Sequence, residues 1–392
     1  REDALHRLVD VWATGEAAAS LGFAAARLFD ELDPLERKKD EIFAAQGIGG
    51  GTAQMRAFRR VQTDALEFLA LRAQPDGARD AQRYEALRAD VLVQFLVQDA
   101  LANVLCPACK LWNTGHGATM MREAVSLMGG YGITEDCPGF LGQKWMDAQL
   151  EATYEGPEAV QRRQLSVTMV SDLFLAQFKV WIVEMRGIAG RRPGTGACTL
   201  ATAMELWLWT LTHLQGATDA DGGKLYHGNR QGVTFPLADA LCWLLASRHQ
   251  ILDLLELEAK GPENPVLAEG LPGLLGFLTD LCHVQAARAA GESSRVCAEL
   301  VYGYNRHAAW DGGTGCGPDA CDPLVTIGVD ASGATMPVGP KAGPCVRFDG
   351  MEAFVRLRLK LDGCLTGVRL AKDRAADALT KVMIPEALDY PV

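Results

Sequence analysis

The chain has 392 residues, too many for one ordinary core and suited to two. Hydrophobic residues make up 48% and charged residues 22%, which is globular usage and excludes whole-chain disorder. A formal net charge of −11 excludes a non-specific nucleic-acid binder, which needs a lysine and arginine excess to neutralise phosphates. Uninterrupted apolar runs are short, so no membrane-spanning segment is expected. The opening residues Arg1 to Leu5 show neither a signal-peptide pattern nor an initiator methionine, which suggests trimming or a piece of a longer polypeptide. Eleven cysteines, an odd number, many of them inside apolar patterns, read as small buried hydrophobes in a reducing, cytoplasmic setting.

In chain order, an amphipathic pattern from Leu5 stops at Asp33-Pro34. Four glycines within 47–51 make a loop before a helix over 53–71. A third helix runs from Asp80 to the Cys106–Cys109 pair, and a fourth from there to Met128. A fifth opens near Pro157, at a position where proline suits a first helical turn, and its apolar face continues to Trp181. Pro and Gly concentrate at 191–196, the best candidate boundary, dividing the chain into helical domains 1–190 and 191–392. Beyond it, helices are expected over 200–214, 237–257, 271–290, 295–304 and 351–379. The stretch 311–344 is an irregular excursion holding the one alternating segment, Val325 to Val329. The fold class is all-α.

The segment Met128-Gly129-Gly130-Tyr131-Gly132-Ile133-Thr134-Glu135-Asp136 closes one helix with a glycine pair. The segment Ala152-Thr153-Tyr154-Glu155-Gly156-Pro157-Glu158-Ala159-Val160-Gln161-Arg162 opens the next and sets one carboxylate, Glu155, on the turn between them. Lys110 stands nineteen residues before Gly129, and Asp147-Ala148 precedes the elbow. Together these motifs, over roughly 92–165, resemble the signature of the acyl-CoA dehydrogenase family. The resemblance implies α,β-desaturation of an acyl-CoA thioester. Glu155 would remove the α-proton, and FAD would take the β-hydride. It implies that Tyr154 and Gly156 line the thioester end. It implies that Gly129, Gly130, Ser126, Pro157 and Ala159 approach FAD. An electron-transfer flavoprotein would be the electron acceptor, within a homo- or hetero-oligomer sharing flavin sites.

The chain departs from that pattern in four places. Ser126 stands where a glutamine is common, and Pro157 where a threonine is usual. The stretch between Pro138 and Asp147 is about two residues longer than usual, and the Arg-x-x-Phe-Gly motif is not found. Two other readings therefore stay open: an acyl-CoA oxidase using dioxygen, and a flavin-free structural subunit of a heteromeric dehydrogenase. The family's N-terminal helical domain and β-barrel, which cover flavin and acyl chain, are expected on a missing segment or a partner chain. The helices after Arg191 correspond only in position to the second helical domain of relatives acting on bulky acyl groups.

Other features carry less. Cys106 and Cys109 lack a second pair and read as core residues, and Cys316 and Cys321 lie in the excursion; no metal site is expected. His213, His249 and His283 fall on apolar helical stretches, and His116 has no assigned role. Trp207, Trp209 and Trp243 are expected to pack between helices rather than face a membrane.

Overall fold

A computed structural model describes residues 1–219, 221–303 and 352–382. Among these residues the fold is all-helical, and an isolated bridge between Thr218 and Lys224 is the only β pairing. The expected strand at 325–329 and the Cys316 and Cys321 positions lie outside the described residues.

Helix α1 spans Glu2–Ala45 and does not stop at Pro34. Proline removes one hydrogen bond to the carbonyl four residues back. Pro34 and Asp30 are both exposed, so water can satisfy that carbonyl, while Leu32, Lys39 and Phe43 continue the buried stripe. Helix α2 (Gly51–Arg72) follows the glycine loop as expected.

The next break comes earlier than the cysteine pair. Helix α3 is Ala81–Ala89, and Asp90 then caps α4 (Val91–Leu111) by accepting from the Leu92 and Val93 N–H groups at 2.8 and 3.1 Å. Helix α4 runs straight through Pro107. The carbonyl that Pro107 cannot serve, Asn103 O, instead accepts from Thr168 Oγ1 at 2.9 Å, so a neighbouring helix repairs the gap. A single π turn, Trp112–His116, leads into α5 (Gly117–Met128). By length and composition alone Val91–Ile133 would suit a membrane span, which the short apolar runs did not suggest. Helix α4 packs against α1, α2, the later α7 (Glu158–Thr168) and α10 (Gln231–Lys260), as an inner helix of the bundle.

Two 3₁₀ turns, Gly129–Ile133 and Pro138–Phe140, precede α6 (Leu141–Glu151). The expected single helix from Pro157 to Trp181 is two, α7 and α8 (Asp172–Arg191), bent by 88°. Ser171 stops the first from continuing, because its side chain accepts from the Phe174 N–H and starts a new helix.

The turn at 192–196 leads to α9 (Ala197–Gly216). Gly196 is obligatory there: its φ is +78°, and a Cβ would lie 2.7 Å from Ala286 Cβ. One apolar cluster crosses this turn, with members from Ala17 to Leu361. Helix α11 is continuous over Leu271–Tyr302, replacing two expected helices. The last pattern is instead two helices, α12 (Glu352–Cys364) and α13 (Val368–Val382), split at Gly367 with φ +86°. Trp207 is fully buried, 4.9 Å from the Phe178 ring, and its Nε1 donates to Leu237 O at 2.9 Å. Trp209 and Trp243 are partly buried and pack against the same cluster, as expected.

His116 sits in the π turn against Trp243, with ring centroids 4.1 Å apart, and its Nε2 is buried without a partner. Burial and, second, the Arg288 charge push it down to about 3. The unfolded chain therefore binds a proton below about pH 6.5 that the folded chain refuses. Stability owed to neutral His116 is complete above that pH and drains away as pH falls toward about 3. Urea unfolding from pH 7.5 to 4.5 should show this decline, and His116→Gln should make it shallower, the buried His249, also held well below the usual imidazole range, keeping its own share. An unchanged slope in the variant would assign the acid lability elsewhere.

Candidate functional site

The turn between α6 and α7 begins with ordinary closure. The Thr153 N–H and hydroxyl both donate to Leu150 O, at 2.9 and 2.7 Å. Tyr154 then donates its hydroxyl to Glu151 Oε2 at 3.0 Å, a contact that raises the phenol above its ordinary range. Glu155 adopts φ +48°, a left-handed conformation unusual for a residue with a Cβ, and Gly156 follows at φ +91°.

Lys110 holds this conformation. From the last turn of α4 its Nζ donates to Tyr154 O at 2.6 Å and to Glu155 O at 2.9 Å, and it lies 5.2 Å from the Tyr154 ring centre. Gln161 Nε2 donates to Gly156 O at 2.8 Å from within α7. It fills the space beside Gly156, where an added Cβ would lie 2.3 Å away. Three consecutive carbonyls are thus tied to protein donors. Among the described residues, the Glu155 N–H donates to no protein acceptor, and its carboxylate, which is exposed, has no hydrogen bond or ion pair.

Pro157 caps α7 rather than entering it, and Glu158 is the first helical residue. Glu158 packs on Gly115 of the π turn, where a Cβ would stand 2.8 Å from its Oε1. Arg162 pairs with Glu158 at 2.9 Å and grips both oxygens of Asp239 in α10, at 2.9 and 3.0 Å. Burial raises the Asp239 carboxyl, and Arg162 partly counters that rise.

The structure therefore gathers Tyr154, Glu155, Gly156 and Pro157 into one elbow with Lys110 and Gln161, and Ala159 lies exposed on the first turn of α7. Ser126, Gly129 and Gly130 form a second feature at the end of α5. Gly129 closes that helix at φ +64°, and Ser126 Oγ accepts from Arg7 of α1 at 3.3 Å. Arg7 in turn pairs with Glu123. Reading the sequence missed the work of Lys110 and Gln161, although their spacing in the motif was visible. It missed Asp239 entirely, since nothing local marks a partner 77 residues away.

As a flavin site, these residues fit as one edge. Around Gly129 and Gly130 a Cβ would meet nothing within 4 Å, which leaves an open ledge free of side chains. Pro157 and Ala159 bring no polar side chain to it. Around ledge and elbow, Met128, Tyr131, Ile133, Phe140, Met146, Leu150 and Val160 are all exposed, an unusual density of apolar surface.

Two other groups fall short of chemistry. Glu2, His6 and Asp373 bring possible metal-ligand atoms together, but Arg369 lies 3.4 Å from His6 Nδ1, and arginine can only donate. The Nε2 side of the ring is already paired with Asp373, 2.8 Å away. Cys106 and Cys109 lie inside α4, and burial pushes Cys106 up to about 11, which suits core thiols.

Residues 78–169, the stretch from just before α3 to the end of α7, match the family described as acyl-CoA dehydrogenase, C-terminal domain. No curated protein and no solved structure matches the chain.

The strain at Glu155 has a measurable consequence. Glu155→Gly should stabilise the chain by about 1 kcal/mol, because glycine adopts φ +48° without the Cβ penalty. Gly156→Ala should cost about 1–2 kcal/mol for the opposite reason. Urea midpoints at constant m-value measure both. A destabilising Glu155→Gly would mean that the carboxylate holds the elbow together.

Proposed function

We propose that this chain supplies the catalytic base and one edge of the flavin site in an acyl-CoA dehydrogenase. The observation that carries the proposal is Glu155 itself, a carboxylate without partners on a strained turn whose carbonyls Lys110 clamps. Strain of this kind persists only where surrounding structure enforces it, and it collects at functional sites. An exposed carboxylate needing no conformational constraint would cost less on an ordinary loop.

Glu155 serves as the base for the proton on the carbon next to the thioester carbonyl. The Glu155 N–H, free because Lys110 engages the carbonyl side of the turn, is available to the thioester oxygen as negative charge builds there. Gly156 leaves room for the sulfur ester to approach the backbone. Tyr154, tied to Glu151 and Lys110, forms one wall. Gly129, Gly130 and Ser126 would hold the flavin from the α5 side, with Pro157 and Ala159 along α7. FAD, when bound, supplies the acceptor for the β-hydride.

The exposed apolar surround supports a further body over this face, a domain or partner subunit that excludes water from base and acyl chain. An electron-transfer flavoprotein then takes the electrons, or dioxygen does in an oxidase. Pro157 and Ala159, which offer the flavin no polar side chain, favour the alternative of a flavin-free structural subunit.

The complex isolated with its native partners separates these readings. One flavin per chain in the visible spectrum is expected, with Glu155→Gln keeping colour and acyl-CoA binding while turnover falls about 10²–10⁴-fold. Reoxidation of the reduced complex in air, fast for an oxidase and slow for a dehydrogenase, identifies the acceptor. Full turnover in the Gln variant, or absence of flavin from the complex, would overturn the proposal.

A further inference from the structure

Away from the elbow, the first turn of α9 meets the last residue of α12, and two cysteines come together there. Cys198 is the second residue of α9 and is exposed; Cys364 ends α12 and is half-buried. One threonine hydroxyl, Thr202 Oγ1, touches both residues. The surroundings fix them in place. Thr199 Oγ1 donates to Cys364 O at 3.0 Å, and Thr202 Oγ1, which donates to Cys198 O at 2.9 Å, lies 3.9 Å from Cys364 Sγ. The helix start itself is pinned by Gly196 against Ala286 and His283.

We propose that Cys198 and Cys364 are a redox pair, forming a reversible disulfide that staples α12 to α9. The chemistry is thiol–disulfide exchange with a small-molecule disulfide such as glutathione disulfide. The Cys198 thiol loses its proton and attacks the external disulfide; one S–S bond breaks, one forms, and the first small thiol departs with a proton. Cys364 sulfur then attacks Cys198 sulfur, its proton going to the second departing thiol. Two protein thiols are oxidised and one external disulfide is reduced to two thiols.

The order of attack follows from the setting. Burial raises Cys364, whereas Cys198 is open to a reagent and stands at the positive end of a helix. Cys137, Cys242, Cys282 and Cys297 are buried away from such a reagent.

The closed loop contains α10 and α11, so the bond restricts the unfolded chain over a long span. The test uses the full chain, purified reduced and then equilibrated with glutathione disulfide, with free thiols alkylated before peptide mass spectrometry. A Cys198–Cys364 cross-linked peptide that dithiothreitol releases is expected. With it should come a rise in Tm on the order of 5 °C. Cys198→Ser and Cys364→Ser, with helical circular dichroism unchanged, should each abolish that rise. Two results would overturn the proposal: Cys364 fully alkylated while Cys198 carries only glutathione, or an equal Tm rise in both serine variants.

Discussion

Two hydrogen bonds from one ammonium group set the geometry of the elbow. Lys110 reaches from the end of α4 to the carbonyls of Tyr154 and Glu155, 44 and 45 residues further on. With both oxygens engaged, the peptide planes can turn only so far, and Glu155 is left at a positive φ with its N–H and carboxylate unengaged. A left-handed residue with a Cβ costs on the order of 1–2 kcal/mol, comparable to what charge-assisted hydrogen bonds return. Remove the lysine and the cheaper course is for Glu155 to relax into an ordinary turn.

The clamp works only if α4 and α7 keep their places. Thr168 joins the far end of α7 to α4 at the carbonyl vacated by Pro107, and Arg162 ties the near end to Asp239 on α10. The proline in α4 is thus a docking point rather than a break. Glu158 against Gly115 adds a contact that a larger residue in the π turn would forbid. The elbow is braced from three sides by α4, the π turn and α10.

Outward, the same elbow is unbraced. Seven large apolar side chains lie exposed around it and the α5 glycines, whereas the core behind them is continuous across both halves of the chain. That contrast fits a half-site whose remaining wall belongs to another body, and it is why the function proposed above is that of an assembly.

The residues themselves determined the helical class, the position of the elbow and the identity of its carboxylate, because helical periodicity, glycine pairs and a Tyr-Glu-Gly turn are local signals that neighbours in sequence create. Helix ends at Pro34 and Cys106 were misread for one reason. A proline stops a helix only if its orphaned carbonyl finds no partner, and water at Asp30 or Thr168 at Asn103 comes from outside the local sequence. Likewise the left-handed Glu155, the reach of Lys110, the grip of Arg162 on Asp239 and the meeting of Cys198 with Cys364 exist only once distant helices pack. Tertiary structure alone decided them, since each depends on groups dozens of residues apart being brought within a few ångströms.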